Sequence, residues 1–177
     1  MQNKLTKNEH YSPAEDTLFF ADQIRSEKGK YALDIGTGSG YLAKVLSPNF
    51  ELVVATDIIF EAMKKAHTII DNCLCCDSAD ALVAEFDLVV CNLPYLPSNE
   101  ITDSTVDGLH EGVVIPFKII KSAKNAIKRG GRLLFLTSSL ANYKELIKQT
   151  QSLELRTKII ATKKLFFEEL ILVEATK

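Results

Sequence analysis

Four consecutive residues, Asn92-Leu93-Pro94-Tyr95, combine a side-chain amide, a backbone carbonyl ahead of a proline and an aromatic ring. Leu93 precedes Pro94, which biases it toward extended backbone and turns its carbonyl outward. The Asn92 side-chain oxygen and the Leu93 carbonyl can then accept the two hydrogens of one planar NH2 group, and Tyr95 can stack on that group. Two such acceptors orient the nitrogen lone pair and stabilise the positive charge that develops when the nitrogen attacks an electrophile. Orientation of this kind contributes up to roughly 7–11 kcal/mol. No strong base is needed, because the nitrogen becomes acidic only after attack. The lack of a His, Lys or Glu beside the tetrapeptide is therefore no objection to this chemistry.

A second cluster precedes it. Asp34-Ile-Gly36-Thr-Gly38-Ser-Gly40 stands between an apolar strand pattern and a helix pattern, as a nucleotide-cofactor turn does. A dinucleotide fingerprint wants G-x-G-x-x-G. Here the third glycine falls one position early and Tyr41 follows it, which disfavours a pyrophosphate site. Asp57 ends the next apolar run, 17 residues after Gly40, where an acid can accept both ribose hydroxyls of an adenosine. Asp77, with Ser78 beside it, follows the third strand and could accept from an adenine amino group. Asp34 is placed to pair with a ligand's ammonium. Acids at three strand ends suit a cofactor that carries a positive charge and no phosphate. S-adenosylmethionine fits that description, and NAD does not.

Strand and helix patterns alternate along the chain, and that alternation positions both clusters. Residues 14–27 read as a helix with Leu18, Phe19, Ala21 and Ile24 on its apolar face, started at Ser12-Pro13. Strands are predicted at 31–35, 51–57, within 68–76, 86–92 and 132–138, with helices at 41–47, 58–67, 113–129 and 140–150. Gly130-Gly131 should stop the long helix. The last two strands, near 153–161 and 167–175, have no helix between them and should form an antiparallel hairpin. Near-continuous apolar strands alternating with helices mean an α/β fold with a mainly parallel sheet covered on both faces. Ligands bind at the carboxyl ends of such strands, where both clusters fall.

The 177 residues predict a single domain, with an N-terminal segment and helix over 1–28 and the core over 29–177. Hydrophobic residues make up 46 % and charged residues 25 %, which excludes disorder and a disulfide mini-scaffold. No apolar run is long enough for a membrane helix. The first residues lack the apolar stretch of a secretory leader, so a cytoplasmic protein is expected. A net charge of −2 lacks the basic excess of a general nucleic-acid binder. Cys73, Cys75, Cys76 and Cys91 lack zinc-site spacing and read as reduced and buried, with no metal site. Lys118, Lys121, Lys124 and Lys128 recur at helical spacing and read as a solvated face. Phe166-Phe167 reads as core and sheet filling, and Glu168-Glu169 is unexplained by periodicity. The stretch 96–112 reads as a loop that closes over substrate.

These motifs resemble the HemK-type protein glutamine N5-methyltransferases, a branch of the class I S-adenosylmethionine-dependent methyltransferases. The archaeal and eukaryotic release-factor branch is the nearest in pattern. Tyr11-Ser-Pro-Ala-Glu-Asp-Thr17 looks like its N-terminal signature, Asp34–Gly40 like its cofactor loop and Asn92–Tyr95 like its Asn-Pro-Pro-Tyr. The segments 131–140 (GRLLFLTSSL) and 164–170 (KLFFEEL) are also similar to archaeal members. The resemblance implies a Rossmann-like sheet of seven strands ordered 3-2-1-4-5-7-6, with strand 7 antiparallel. It implies cofactor binding by Thr17, Asp34, Gly36, Gly38, Gly40, Asp57, Asp77, Ser78 and Asn92. The substrate amide would be held by Asn92, Leu93, Pro94 and Tyr95. The substrate implied is the glutamine of the Gly-Gly-Gln loop of a class I release factor. Leu93 stands where the branch has proline, and rRNA adenine dimethyltransferases carry Asn-Leu-Pro-Tyr. An RNA or DNA adenine N6-methyltransferase with the same amine clamp is therefore the alternative. The release-factor branch also works with a small zinc-binding activator protein. The apolar stretch from Thr68 to Cys76 (TIIDNCLCC) is expected to be an exposed sheet edge that such a partner covers by strand addition.

Overall fold

The computed structural model describes residues 14–83, 85–96, 108 and 110–177. Among these, seven strands form one sheet: β1 (Gly29–Ile35), β2 (Phe50–Asp57), β3 (Cys73–Cys75), β4 (Phe86–Asn92), β5 (Ile127–Ser138), β6 (Arg156–Lys164) and β7 (Glu169–Thr176). Their order is β3-β2-β1-β4-β5-β7-β6. β7 runs antiparallel to both its neighbours, and the other pairings are parallel. The helices are α1 (Glu15–Ile24), α2 (Tyr41–Leu46), α3 (Phe60–Ala66), α4 (His110–Ala126) and α5 (Tyr143–Ser152). This is the topology expected from the sequence. No helix among the described residues is long and apolar enough to cross a membrane.

Apolar residues on consecutive strand positions go to opposite faces, because side chains alternate along a strand. On β5, Leu133 and Phe135 join α4 and α5 through Ile120, Ala123 and Leu146. Leu134 and Leu136 join α1 and α2 through Phe20, Ile24, Leu42 and Leu46. A continuous apolar run is therefore what a strand covered on both faces requires. At the far rim Arg132 hydrogen-bonds Glu27 and Glu174, linking the chain after α1 to the sheet.

Several expectations are corrected. On α1 the buried face is Phe19, Phe20, Ala21 and Ile24, and Leu18 is exposed. Thr17, Phe20, Ala21 and Ile24 share the inner side at i, i+3, i+4 and i+7. The Ser12-Pro13 start lies outside the described residues, as does most of the 96–112 loop. The long helix ends at Ala126, not at Gly130-Gly131. Ile127 already pairs with Phe86, and the residues before Arg132 form a bulge with Gly130 at φ 77°. Lys128 is thus on a strand, bound to Asp87, and does not continue the helical lysine face. The third strand is only Cys73–Cys75. Of the four cysteines Cys91 alone is buried, while Cys73 and Cys76 are half-buried and Cys75 is exposed. Phe166 and Phe167 do not fill the core. They are 91 % and 84 % exposed, because the sheet faces are already covered and the pair occupies the β6–β7 turn.

The start of α4 braces the end of β4. Glu111 and Gly112 are left-handed, at φ 58° and 70°. A Cβ on Gly112 would stand 2.1 Å from the Tyr95 carbonyl oxygen and 2.8 Å from the Ala141 Cβ, so only glycine fits. Gly112→Ala is expected to destabilise the fold by about 2–4 kcal/mol, from left-handed strain and overpacking combined. Denaturant midpoints of the two proteins check this.

Candidate active site

Parallel pairing brings the two sequence clusters together. Ile35 pairs with Thr56 on one side and Cys91 on the other. The glycine turn after β1 therefore lies between Asp57 at the end of β2 and Asn92 at the end of β4. Gly36 and Thr37 donate their backbone N–H groups to the Thr56 carbonyl, at 2.8 and 3.0 Å. Asp57 Oδ2 accepts from Gly38 N and its Oδ1 from Ile59 N, both at 2.9 Å. Asp57 thus shapes the loop while standing at its mouth. Gly36 and Gly38 are left-handed, and a Cβ at either would meet nothing within 4 Å, leaving an open cradle.

Asp34 lies beneath this cradle, 1 % exposed. One carboxylate oxygen, Oδ2, accepts from Thr37 Oγ1 at 2.5 Å and from Ala43 N at 3.0 Å. The other, Oδ1, is buried without a partner. Burial is the largest influence on this carboxyl. It outweighs both hydrogen bonds and pushes the pKa up to about 7. A cation arriving above the loop would favour the charged form and draw the proton off.

Asp77 and Ser78 follow β3. Ser78 Oγ donates to Asp77 Oδ1 at 2.9 Å, and Lys118 Nζ on α4 donates to Asp77 Oδ2 at 2.6 Å. The Lys118 ammonium holds the Asp77 carboxyl below its usual range. Asp77 is therefore an ion-paired acceptor at the rim, tied to the helix that braces Tyr95.

Asn92 carries the most informative geometry. Its Nδ2 donates to Asp16 Oδ2 at 3.0 Å and lies 3.5 Å from Thr17 Oγ1. Its Oδ1 is buried and unpartnered. The amide is thus oriented with nitrogen toward α1 and oxygen free to accept. Leu93 is buried in the core, and its N–H donates to the Leu136 carbonyl at 3.3 Å. Tyr95 is half-buried. Its phenol is held well above the ordinary range by burial and by the nearby carboxylates of Glu168 and Asp16. It remains a neutral ring and donor.

Two residues given no role from the sequence belong here. Asp16 neighbours Thr17 in the first helical turn, and that adjacency was a usable signal. Glu168 comes from the β6–β7 connection, and no local pattern pointed to it. Its Oε2 is buried without a partner. Among the described residues no group of side chains is arranged to hold a metal ion.

These features fit S-adenosylmethionine: an open glycine cradle, acids at three strand ends, and a buried orphan oxygen on Asp34. The chain matches the methyltransferase small domain family over residues 14–166 and belongs to that family. That makes it a methyltransferase domain, and the cradle fits S-adenosylmethionine as its methyl donor. A Methanocaldococcus jannaschii protein, provisionally named a protein N5-glutamine methyltransferase, is 29 % identical over 180 residues, covering 94 % of this chain and 91 % of that one. The fold is shared with E. cuniculi Mtq2, solved in complex with Trm112 and described as responsible for methylating the eRF1 translation termination factor. The TM-score is 0.77 at 24 % identity, over 94 % of this chain and 98 % of that one. It is shared too with the N-methyltransferase NodS of Bradyrhizobium japonicum, solved with S-adenosyl-L-homocysteine. That TM-score is 0.62 at 16 % identity, over 90 % and 84 % of the two chains.

Burial raises the Asp34 carboxyl from its ordinary 3.8 to about 7, so the stability it contributes when protonated is lost as pH climbs through that window. Asp34→Asn does not titrate. The ligand-free variant is expected to gain stability relative to the unaltered chain as pH rises from about 4 to about 7, by a few kcal/mol. Thermal melts of both proteins across that range check it.

Proposed function

We propose that this chain methylates the side-chain amide nitrogen of a protein glutamine, within the Gly-Gly-Gln motif of a class I translation release factor. The observation that carries the reading is the orientation of Asn92. Asp16 holds its NH2, so the buried Oδ1 is left to accept a hydrogen from another amide. The names of the M. jannaschii and E. cuniculi relatives support the same substrate class.

When bound, S-adenosylmethionine supplies an electrophilic methyl group on a sulfonium sulfur. Gly36, Gly38 and Gly40 with Asp34, Asp57, Asp77 and Ser78 would hold it, and Thr17 would close its methyl side. Asn92 Oδ1 and the Leu93 carbonyl would take the two amide hydrogens, with Pro94 fixing the backbone and the Tyr95 ring against the amide plane. So held, the amide nitrogen would face that methyl group and could bond to its carbon, with the carbon–sulfur bonding pair leaving with sulfur. One amide proton is released to solvent. The carboxylates of Asp16 and Glu168 stabilise the positive charge that grows on nitrogen before that release.

A small zinc-binding partner protein at the β3 edge is part of the same reading. β3 is the outermost strand and only three residues long, with Leu74 and Cys75 exposed and Ile69 exposed just before it. An apolar edge of this kind is suited to strand addition. E. cuniculi Mtq2 was solved in complex with a partner, Trm112.

Asn92→Ala is expected to keep cofactor binding within a modest factor and to lose roughly 10²-fold or more in turnover. Calorimetric titration and steady-state kinetics on the one variant separate the two. The substrate is tested by transfer of labelled methyl in one tube holding this protein, the small zinc-binding partner, a release factor and total ribosomal RNA. Label is expected on the release factor, and lost when the Gln of Gly-Gly-Gln is changed. Label on RNA would favour the adenine alternative. Co-elution of the partner in gel filtration is expected; a stable monomer that ignores it would remove the edge proposal.

A further inference from the structure

The β6–β7 hairpin turns with Phe166 and Phe167 at its tip. Leu165 N donates to the Glu168 carbonyl at 2.8 Å, closing the turn around these two residues. Tight hairpin corners favour Gly, Asn and Asp, which supply the backbone geometry and keep the tip wet. Two phenylalanines there are costly in water. They are 91 % and 84 % exposed, their rings set edge to face with centroids 4.6 Å apart.

The tip is anchored at the catalytic end of the sheet. Glu169 N donates to Ser139 Oγ and its carbonyl accepts from Ser139 N, both at 2.9 Å, just beyond the end of β5. Lys163 Nζ on β6 lies 4.0 Å from Glu15 Oε1 at the start of α1, next to Asp16. The Glu168 carboxylate lies near the Tyr95 phenol, and its Oε2 is buried with no partner. One turn thus joins two exposed rings to an orphan acceptor on a carboxylate near the Tyr95 phenol.

We propose that Phe166 and Phe167 form the docking platform for the polypeptide segment that flanks the methylated glutamine, with Glu168 Oε2 accepting a backbone N–H of that segment. The occupant is argued from continuity and charge. The platform runs into the acceptor site through Glu168 and Tyr95, so a chain presenting a glutamine to Asn92 passes over it. Among the described residues at this end of the sheet, Glu15, Asp16, Glu168 and Glu169 outnumber Lys163 and Lys164. That balance repels a phosphate backbone and suits a neutral or basic peptide. Exposed aromatic anchors with a polar neighbour are typical centres of protein recognition.

This inference rests on the protein-glutamine reading, and the experiment separates the two. Methyl transfer to the folded release factor is measured with the unaltered protein, F166A/F167A and F166L/F167L, each with the small partner present. Melting temperature and cofactor affinity are read on every variant; both residues are exposed, so both readouts should stay put. F166A/F167A is expected to raise the KM for the release factor about tenfold or more, with kcat within about threefold, and F166L/F167L should recover part of the loss. An unchanged KM, or a fall in kcat alone, overturns the docking platform while leaving the glutamine reading standing. Transfer by the unaltered protein to RNA only, or to no protein, overturns both.

Discussion

The register of four parallel strands decides where everything else lies. Ile35 pairs with both Thr56 and Cys91, Asp57 with Cys75, and Asn92 with Leu136. The ends of β1, β2, β3 and β4 therefore open side by side, and each delivers one part of the site. A shift of one residue would send every side chain on a strand to the other face. Leu133 to Leu136 pack closely between two helix layers, and the fit of those side chains resists that shift. Packing on both faces thus holds the glycine turn, the acids and the Asn-Leu-Pro-Tyr segment in one fixed frame.

Within that frame, buried polar groups are used twice. Asp34 pins the glycine loop with one oxygen and keeps the other free. Asp57 braces the same loop through Gly38 and remains at its mouth. Asn92 gives its nitrogen to Asp16 and keeps its oxygen open. Asp34 and Asn92 each leave one buried oxygen without a partner, open to a ligand's donors or positive charge. An unsatisfied buried oxygen costs stability, and a bound ligand recovers it. The low local dielectric that pushes Asp34 up also strengthens the field felt by a cationic ligand.

The site also depends on segments far from the tetrapeptide. α1 supplies Asp16 and Thr17. The left-handed Glu111-Gly112 pair lets α4 approach the Tyr95 carbonyl, and Lys118 on the same helix holds Asp77. The β6–β7 hairpin brings Glu168 to the Tyr95 hydroxyl. Strain at Glu111 is tolerated because Asn142 holds it from two sides, donating through its backbone N–H to the Glu111 carbonyl and through Nδ2 to Oε2.

The sequence alone determined the alternation of elements, the order of the sheet through its family resemblance, the glycine turn with Asp34, and the tetrapeptide at Asn92. These are written in contiguous residues or in short periods, where local backbone preference and hydrophobic alternation speak directly. Only the tertiary structure decided which way the Asn92 amide points, because its partner Asp16 is 76 residues away. It also decided that the long helix stops at Ala126, since pairing of Ile127 with Phe86 overrides a helical pattern that runs on to Arg129. Phe166 and Phe167 show the same limit. Apolar residues beside a strand read as core, yet a sheet already covered on both faces had no room for them, and the hairpin carries them out to the mouth of the site.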